Sequence, residues 1–220
     1  MKRILLSAIA MIAVSGSAMA ADALETAAPS AYNWSGGYIG GHFGYGWSDV
    51  SWVYTDFGST APHSGSGWLG GVQAGYNAQN GSLVYGVEGD VSWSGINGST
   101  PCPNPDFACE SKVNWLATGR GRLGFAANNI LLYGTAGIAG GGVTIQTTLN
   151  PNDGTNGTHA SRVGYALGGG VEWGINAHWT AKSEYMFYDL GKASYIVDNN
   201  LLVDSKVRLS TIKLGVNYKF

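Results

Sequence analysis

Residues 83–93 read Leu83-Val84-Tyr85-Gly86-Val87-Glu88-Gly89-Asp90-Val91-Ser92-Trp93. One parity, Leu83, Tyr85, Val87, Gly89, Val91 and Trp93, is apolar and bracketed by aromatics; the other, Val84, Gly86, Glu88, Asp90 and Ser92, carries two carboxylates. Side chains alternate between the faces of a strand, so this stretch has an oily face and a charged one. An apolar band flanked by Tyr and Trp is what the two lipid–water interfaces select, because those rings are apolar in body and polar at the tip. The stretch therefore predicts a strand that crosses a membrane, with its carboxylates turned into a barrel.

The same alternation recurs along the chain and predicts eight strands, at 36–47, 67–77, 83–93, 111–125, 130–145, 161–173, 179–189 and 207–220. The segments between them are alternately long (48–66, 94–110, 146–160, 190–206) and short (78–82, 126–129, 174–178). Long connections then fall on one end of every hairpin and tight turns on the other, as in outer-membrane barrels with long extracellular loops and short periplasmic turns. Ala78-Gln79-Asn80-Gly81-Ser82 and Ala126-Ala127-Asn128-Asn129 are rich in residues that tolerate left-handed backbone. The fold class is all-β, an eight-stranded antiparallel up-and-down transmembrane β-barrel.

Strand faces sort the charges. Inward parity collects Glu88, Asp90, Lys112, Arg120, Arg122, Arg162, Glu172, Lys182, Glu184, Lys213 and Lys219, and outward parity only Asp189 and Arg208, both at the long-loop rim. A cation on the lipid face costs about 2–4 kcal/mol at the midplane and little at the interface. In 111–125 the outward set is Val113, Trp115, Ala117, Gly119, Gly121, Leu123 and Phe125; in 130–145 either Leu132, Gly134, Ala136 and Ile138 or Leu131, Tyr133, Thr135 and Gly137 could face lipid, and the first set is favoured.

Composition narrows the class further. Among 220 residues there are 35 Gly, 8 Trp and 12 Tyr, against only 12 Lys+Arg and 14 Asp+Glu. An ordinary soluble enzyme has about twice that share of charge, and disorder needs low hydrophobicity with high charge. No basic run exists to neutralise phosphates, so no nucleic-acid partner is expected. At the start, Lys2 and Arg3, the apolar Ile4 to Val14 and the small-x-small Ala18-Met19-Ala20 predict a cleaved signal peptide over 1–20. Residues 21–35 lack periodicity and read as a periplasmic N-terminal tether, leaving 36–220 as the barrel domain.

Several motifs invite a chemical reading. Gly119-x-Gly121-x-x-Gly124 fits the letters of a dinucleotide fingerprint, but strand alternation continues to Phe125 where a helix is required. Those glycines are expected to let Trp115 and Tyr133 lie over the backbone. Glu88, Asp90, Glu172 and Glu184 face Arg120, Arg122, Lys182 and Lys213, four acids against four bases. An eight-stranded interior is just wide enough for side chains to fill, which favours a paired lumen plug over a narrow ion path. Cys102 and Cys109 share one loop of an exported chain and are expected to form a disulfide. His63 and His159, both in long loops, are the pair that would have to meet to hold haem or a metal, and their spacing matches no ligand motif. No Ser, His and acid set can be assembled at one rim, so no catalytic, cofactor or metal residue is assigned and an enzyme is not expected.

The last strand is the most specific element. Phe220, Tyr218, Val216, Leu214 and Ile212 alternate back from the terminal carboxylate against Lys219, Asn217, Gly215, Lys213 and Thr211. With Asn33-Trp34-Ser35-Gly36-Gly37-Tyr38-Ile39-Gly40, Gly70-Gly71-Val72-Gln73-Ala74-Gly75-Tyr76-Asn77 and Glu184-Tyr185-Met186-Phe187-Tyr188-Asp189, the sequence resembles the small alphaproteobacterial outer-membrane surface-protein family, the porin-family or OmpA-like barrels. The resemblance implies a bacterial outer-membrane location amid lipid and lipopolysaccharide, and an assembly signal at Phe220, Tyr218 and Val216 read by the barrel-assembly machinery. These blocks identify the scaffold rather than an activity, and the chain is read as a monomer with a structural or surface role in the envelope; a small porin, or a surface receptor binding haem or a host molecule through its loops, are the alternatives. Deleting Phe220 removes one rim side chain, about 1.5–3 kcal/mol of apolar burial at most. Outer-membrane levels in cells should fall sharply while the purified chain still refolds in detergent micelles; equal loss in both settings would make Phe220 a stability residue.

Overall fold

The computed structural model describes residues 32–54, 60, 62–102, 107–149, 153–197 and 201–220; the expected signal peptide at 1–20 and the expected tether up to residue 31 lie outside them. The strands are β1 Gly36–Tyr54, β2 His63–Asn80, β3 Leu83–Pro101, β4 Phe107–Ala127, β5 Ile130–Leu149, β6 Asp153–Gly174, β7 Trp179–Val197 and β8 Leu201–Lys219. Each pairs antiparallel with the next and β8 pairs with β1, closing the barrel. Closure leaves no sheet edge to face hydrocarbon, where an unpaired backbone group costs several kcal/mol. The tight turns use left-handed backbone at Gly81 (φ 60°) and Asn128 (φ 53°). Among the described residues no helix is long and apolar enough to cross a membrane.

The lipid face is the one that the alternation requires. Val87, Leu123, Leu132, Ile138, Val163 and Leu214 all point outward and are exposed, while Leu131 and Tyr133 are buried inside, which fixes the orientation of β5. Toward the tight-turn end this band is bordered by Tyr76, Tyr85, Trp173, Trp179 and Tyr218, and toward the other by Tyr45, Trp47, Trp68, Trp93, Trp115 and Tyr165.

The strands run 18–22 residues, against the 9–11 or so that span a bilayer. Much of 48–66, 94–110, 146–160 and 190–206, expected to be loop, therefore continues the barrel wall beyond the outer aromatic ring. The pattern inverts there. Outward positions such as Asp49, Asn97 and Ser99 are polar and exposed, whereas Val50, Ile96 and Leu190 point in and are buried. Water, not lipid, surrounds this part of the wall, so the apolar face must turn inward.

Bulges adjust the inner and outer parity at this level. β3 shifts register between Trp93 and Ile96, β4 between Val113 and Trp115, and β7 between Asp189 and Lys192, the last with Gly191 at φ 69°. The extra residue in β4 reverses its parity, so Val113 is buried inside and Lys112 is exposed, opposite to the sequence expectation for both. The two outward charges sit directly across from each other on β7 and β8. Asp189 takes Arg208 Nε at 3.2 Å and Lys206 Nζ at 3.3 Å.

Glycines do receive aromatic rings, but not the three of the Gly119 motif. A Cβ on Gly119 or Gly121 would meet only Ile138 at 3.8 Å or the Ala136 carbonyl at 3.9 Å, and one on Gly124 the Leu132 carbonyl at 2.6 Å. The ring of Trp115 instead lies over Gly142, that of Tyr133 over Gly170 and that of Tyr38 over Gly75. Gly75→Val should force Tyr38 out of place and lower the urea midpoint of the folded protein in detergent by the equivalent of about 1–3 kcal/mol. Gly70→Val, whose Cβ would make only van der Waals contacts, with the His42 carbonyl at 3.6 Å and Phe43 at 3.7 Å, should leave the midpoint unchanged; equal losses would contradict the ring-over-glycine account.

Candidate functional site: a charged tier inside the barrel

All eight charges of the expected network lie within the barrel and are buried: Glu88, Asp90, Arg120, Arg122, Glu172, Lys182, Glu184 and Lys213. Glu88 on β3 is the hub. It accepts from Arg120 Nη2 at 2.6 Å, Arg122 Nη1 at 3.3 Å, Lys182 Nζ at 2.9 Å and the Tyr38 hydroxyl at 2.7 Å. Asp90 accepts from Lys213 Nζ at 3.0 Å, from Arg120 at 3.1 Å and from the Thr118 hydroxyl. Glu184 takes Arg120 Nη1 at 3.0 Å and the Tyr133 hydroxyl at 2.9 Å, and Glu172 takes Arg122 Nη2 at 2.6 Å.

Apart from Glu88 and Arg120, which lie directly opposite each other, backbone register alone would pair these groups differently. Glu184 lies directly opposite Lys213 on the neighbouring strand and Glu172 opposite Lys182. The chains reach across the lumen instead: Lys213 to Asp90 from β8 to β3, Lys182 to Glu88 from β7 to β3, and Glu184 to Arg120 from β7 to β4. Such contacts exist only once the barrel is closed. Burial of ions in low dielectric is costly unless each is paired and hydrogen-bonded, and the four acids and four bases meet that condition together.

Neutral side chains complete the tier; the sequence reading named Tyr133 beside the Gly119 motif and assigned none of them to the network. Tyr38 donates to Glu88 and accepts from Arg122 Nη1 at 2.6 Å. The guanidinium of Arg122 lies 4.0 Å from the centre of the Tyr133 ring, a cation–π contact that strengthens without water. Glu172 also accepts from Thr180 at 2.5 Å and from Asn217 Nδ2 at 2.8 Å. Asn217 accepts from Gln73 at 2.6 Å, and Gln73 Oε1 lies 2.5 Å from His42 Nδ1. Because Gln73 Oε1 can only accept, His42 carries its proton on Nδ1, and Nε2 faces the Ser92 hydroxyl at 2.8 Å. Inward parity marks every one of them in the sequence; their neutrality hid them.

Apolar tiers cover the charges on both sides. Beyond them toward the long-loop end, Leu69, Ile96, Leu116, Ala139, Val143, Met186, Leu190 and Leu209 form one buried cluster that includes Cys102 and Cys109. The two cysteines form the expected disulfide, with Cα atoms 5.2 Å apart. At the tight-turn end, Trp34, Val84, Ala126, Leu131 and Tyr133 make a second cluster with Tyr32 against it.

The two loop histidines each take a hydroxyl partner, on β4 and β5 respectively. His63 is buried on β2 with Nε2 2.8 Å from Ser111 Oγ, whereas His159 on β6 has Nδ1 2.7 Å from Thr144 Oγ1. Among the described residues no group of three or more His, Cys, Asp and Glu is arranged to hold a metal. The terminal residues lie on the outside of the tight-turn rim. Phe220 and Val216 are exposed, and the Phe220 ring stands edge-on to Tyr218 at 5.7 Å. The Phe220 N–H donates to the Gly37 carbonyl at 3.0 Å.

Residues 6–220 match the outer membrane protein beta-barrel domain family. The chain is 37% identical over 244 residues to the 31 kDa outer-membrane immunogenic protein of Brucella melitensis biotype 1, with all of both chains covered. It is 34% identical over 198 residues to the 22 kDa outer membrane protein of Rhizobium leguminosarum bv. viciae, covering 90% of this chain and 83% of that one. Among solved structures, the outer membrane protein OprG from Pseudomonas aeruginosa shares the fold with a TM-score of 0.56 at 15% identity, covering 86% of this chain and 98% of that one. A barrel with a lipid-facing apolar band, a charged interior and relatives named as outer-membrane proteins along their whole length is an outer-membrane β-barrel, and the chain belongs to the outer membrane protein beta-barrel domain family.

Proposed function

We propose that this protein is a sealed envelope barrel: a structural, surface-exposed component of the outer membrane whose lumen is plugged by its own paired charges. One observation carries the reading, the charged tier of eight ions enclosed between two apolar tiers. A conducting path would need water to thread the outer cluster around Leu116 and Met186, both fully buried, and then to compete for ions that already have partners. The apolar tiers raise the strength of every ion pair between them by excluding that water. The names of the relatives, outer-membrane immunogenic proteins, support a surface role.

The rest of the reading follows the same lines. The chain is exported through the signal peptide at 1–20, starts in the periplasm and sits as a monomer among outer-membrane lipid and lipopolysaccharide. Phe220, Tyr218 and Val216 present the assembly signal to the barrel-assembly machinery. It uses no cofactor and no nucleic acid, and its work is mechanical and surface-bound rather than catalytic.

Refolded protein in planar bilayers should conduct weakly or not at all; large stable conductance steps, or swelling of liposomes in sugars, would replace the sealed reading with a small porin. Glu184→Ala leaves Arg120 and the Tyr133 hydroxyl short of a partner. Breaking a buried pair this way costs about 3–5 kcal/mol, so the urea midpoint in detergent should fall accordingly. An unchanged midpoint would mean that the tier is wet enough to screen the loss.

A further inference from the structure

The tether expected over 21–35 does not stay outside the barrel at its last residues. Trp34 is 2% exposed and packs with Val84, Ala126, Leu131 and Tyr133 inside the tight-turn mouth. Tyr32 packs against it in a tilted arrangement, 4.6 Å between ring centres, and lies against Gly174, where no Cβ intrudes. Polar contacts hold the segment at several points. The Trp34 N–H donates to Gln79 Oε1 at 2.7 Å and the Gln79 N–H to Ser35 Oγ at 3.0 Å. Lys219 Nζ donates to the Asn33 carbonyl and sits 5.0 Å from the centre of the Tyr32 ring.

Gly36 makes the inward course possible. Its φ is 129°, a backbone conformation that side chains with a Cβ rarely adopt, and it is the first residue of β1, directly after the segment. Directly beyond Trp34 is Tyr133, whose ring lies under the Arg122 guanidinium and whose hydroxyl serves Glu184. The seat is also built from both ends of the chain, since Lys219 belongs to the closing strand.

We infer that residues 32–35 are a stopper hinged at Gly36, and that its seating controls whether water on the tight-turn side reaches the charged tier. β8 supplies Lys219 to the mouth, so every contact of the seat is present only in a closed barrel. The inference rests on the sealed-barrel reading for the far side only, because the outer apolar cluster is independent of the stopper. Dislodging residues 32–35 should therefore admit water to the charged tier without opening a pore.

Hydroxyl-radical footprinting of the full mature chain, refolded in detergent and read by peptide mass spectrometry, tests this on Tyr133, normalised to His178 in the exposed turn. Tyr133 should be protected in the unaltered protein and oxidised about tenfold faster in Trp34→Ala, a shift of about 1.4 kcal/mol in the seating equilibrium. Gly36→Val, which leaves every contact side chain in place but denies the hinge its φ, should give the same rise; Lys219→Met should give a smaller one. Folded barrels are identified by their heat-modifiable gel mobility, and if one variant does not fold the other two still decide. Fast oxidation of Tyr133 in the unaltered protein, or protection retained in the folded variants, would overturn the stopper. Conductance recorded in the same samples keeps the two readings apart: current in the unaltered protein would defeat the sealed barrel, whereas Tyr133 oxidation without current is the outcome expected of an unseated stopper.

Discussion

Glu88 is a buried carboxylate with three cations and a phenol around it, and the interior depends on that arrangement. An isolated ion of this kind would be expelled from low dielectric at a cost of many kcal/mol. It is retained because Arg120, Arg122 and Lys182 arrive from two other strands, and Tyr38 from a third. None of these contacts is local in sequence; the Lys182 contact joins residues 94 apart. The network is thus a consequence of closure and a reason for it, since a barrel opened at any seam would strand at least one of the charges.

In the proposed reading the apolar tiers turn this arrangement into a seal. Outside, the wall follows the rule of lipid, apolar outward and polar inward, as far as the outer aromatic ring. Above the ring it follows the rule of water, and Val50, Ile96, Val207 and Leu209 turn in to form a core. The bulge in β4 is where one strand changes rule within a single residue, placing Trp115 outside and Val113 inside. A bulge lets the backbone keep pairing while the side-chain faces exchange. The disulfide between Cys102 and Cys109 is part of this upper core rather than a staple on an exposed loop.

Legibility in the sequence tracked how strongly the surroundings constrain each position. Lipid permits little variation, so the eight membrane-crossing segments and the eight charges of the tier could be read from alternation, whereas β5 offered two apolar faces and the bulge in β4 put Val113 and Lys112 on the faces opposite to those expected. The upper halves of the strands were hidden because inversion of the pattern makes Val50 and Ile96 look like stray apolar residues in polar loops. Partners within the tier were hidden for a different reason: parity says that Lys213 points inward, but only the closed barrel brings it to Asp90 rather than to Glu184. Trp34 carried no periodic signal at all. A single aromatic before a glycine reads as tether, and its burial depends on the φ of Gly36 and on a lysine from the far end of the chain.

The central claim is that the lumen charges are held by one another in a dry interior, and a double-mutant cycle on Glu88 and Lys182 measures it most directly. Urea unfolding in detergent of the unaltered protein, Glu88→Gln, Lys182→Gln and the double variant isolates the pairwise term. Contacting residues in one ion network couple by about 0.5–3 kcal/mol, and for a pair 2.9 Å apart sealed from water the account predicts a coupling in the upper half of that range. Additivity to within about 0.3–0.5 kcal/mol would contradict it, because it would mean that solvent, not the neighbouring charge, satisfies Glu88.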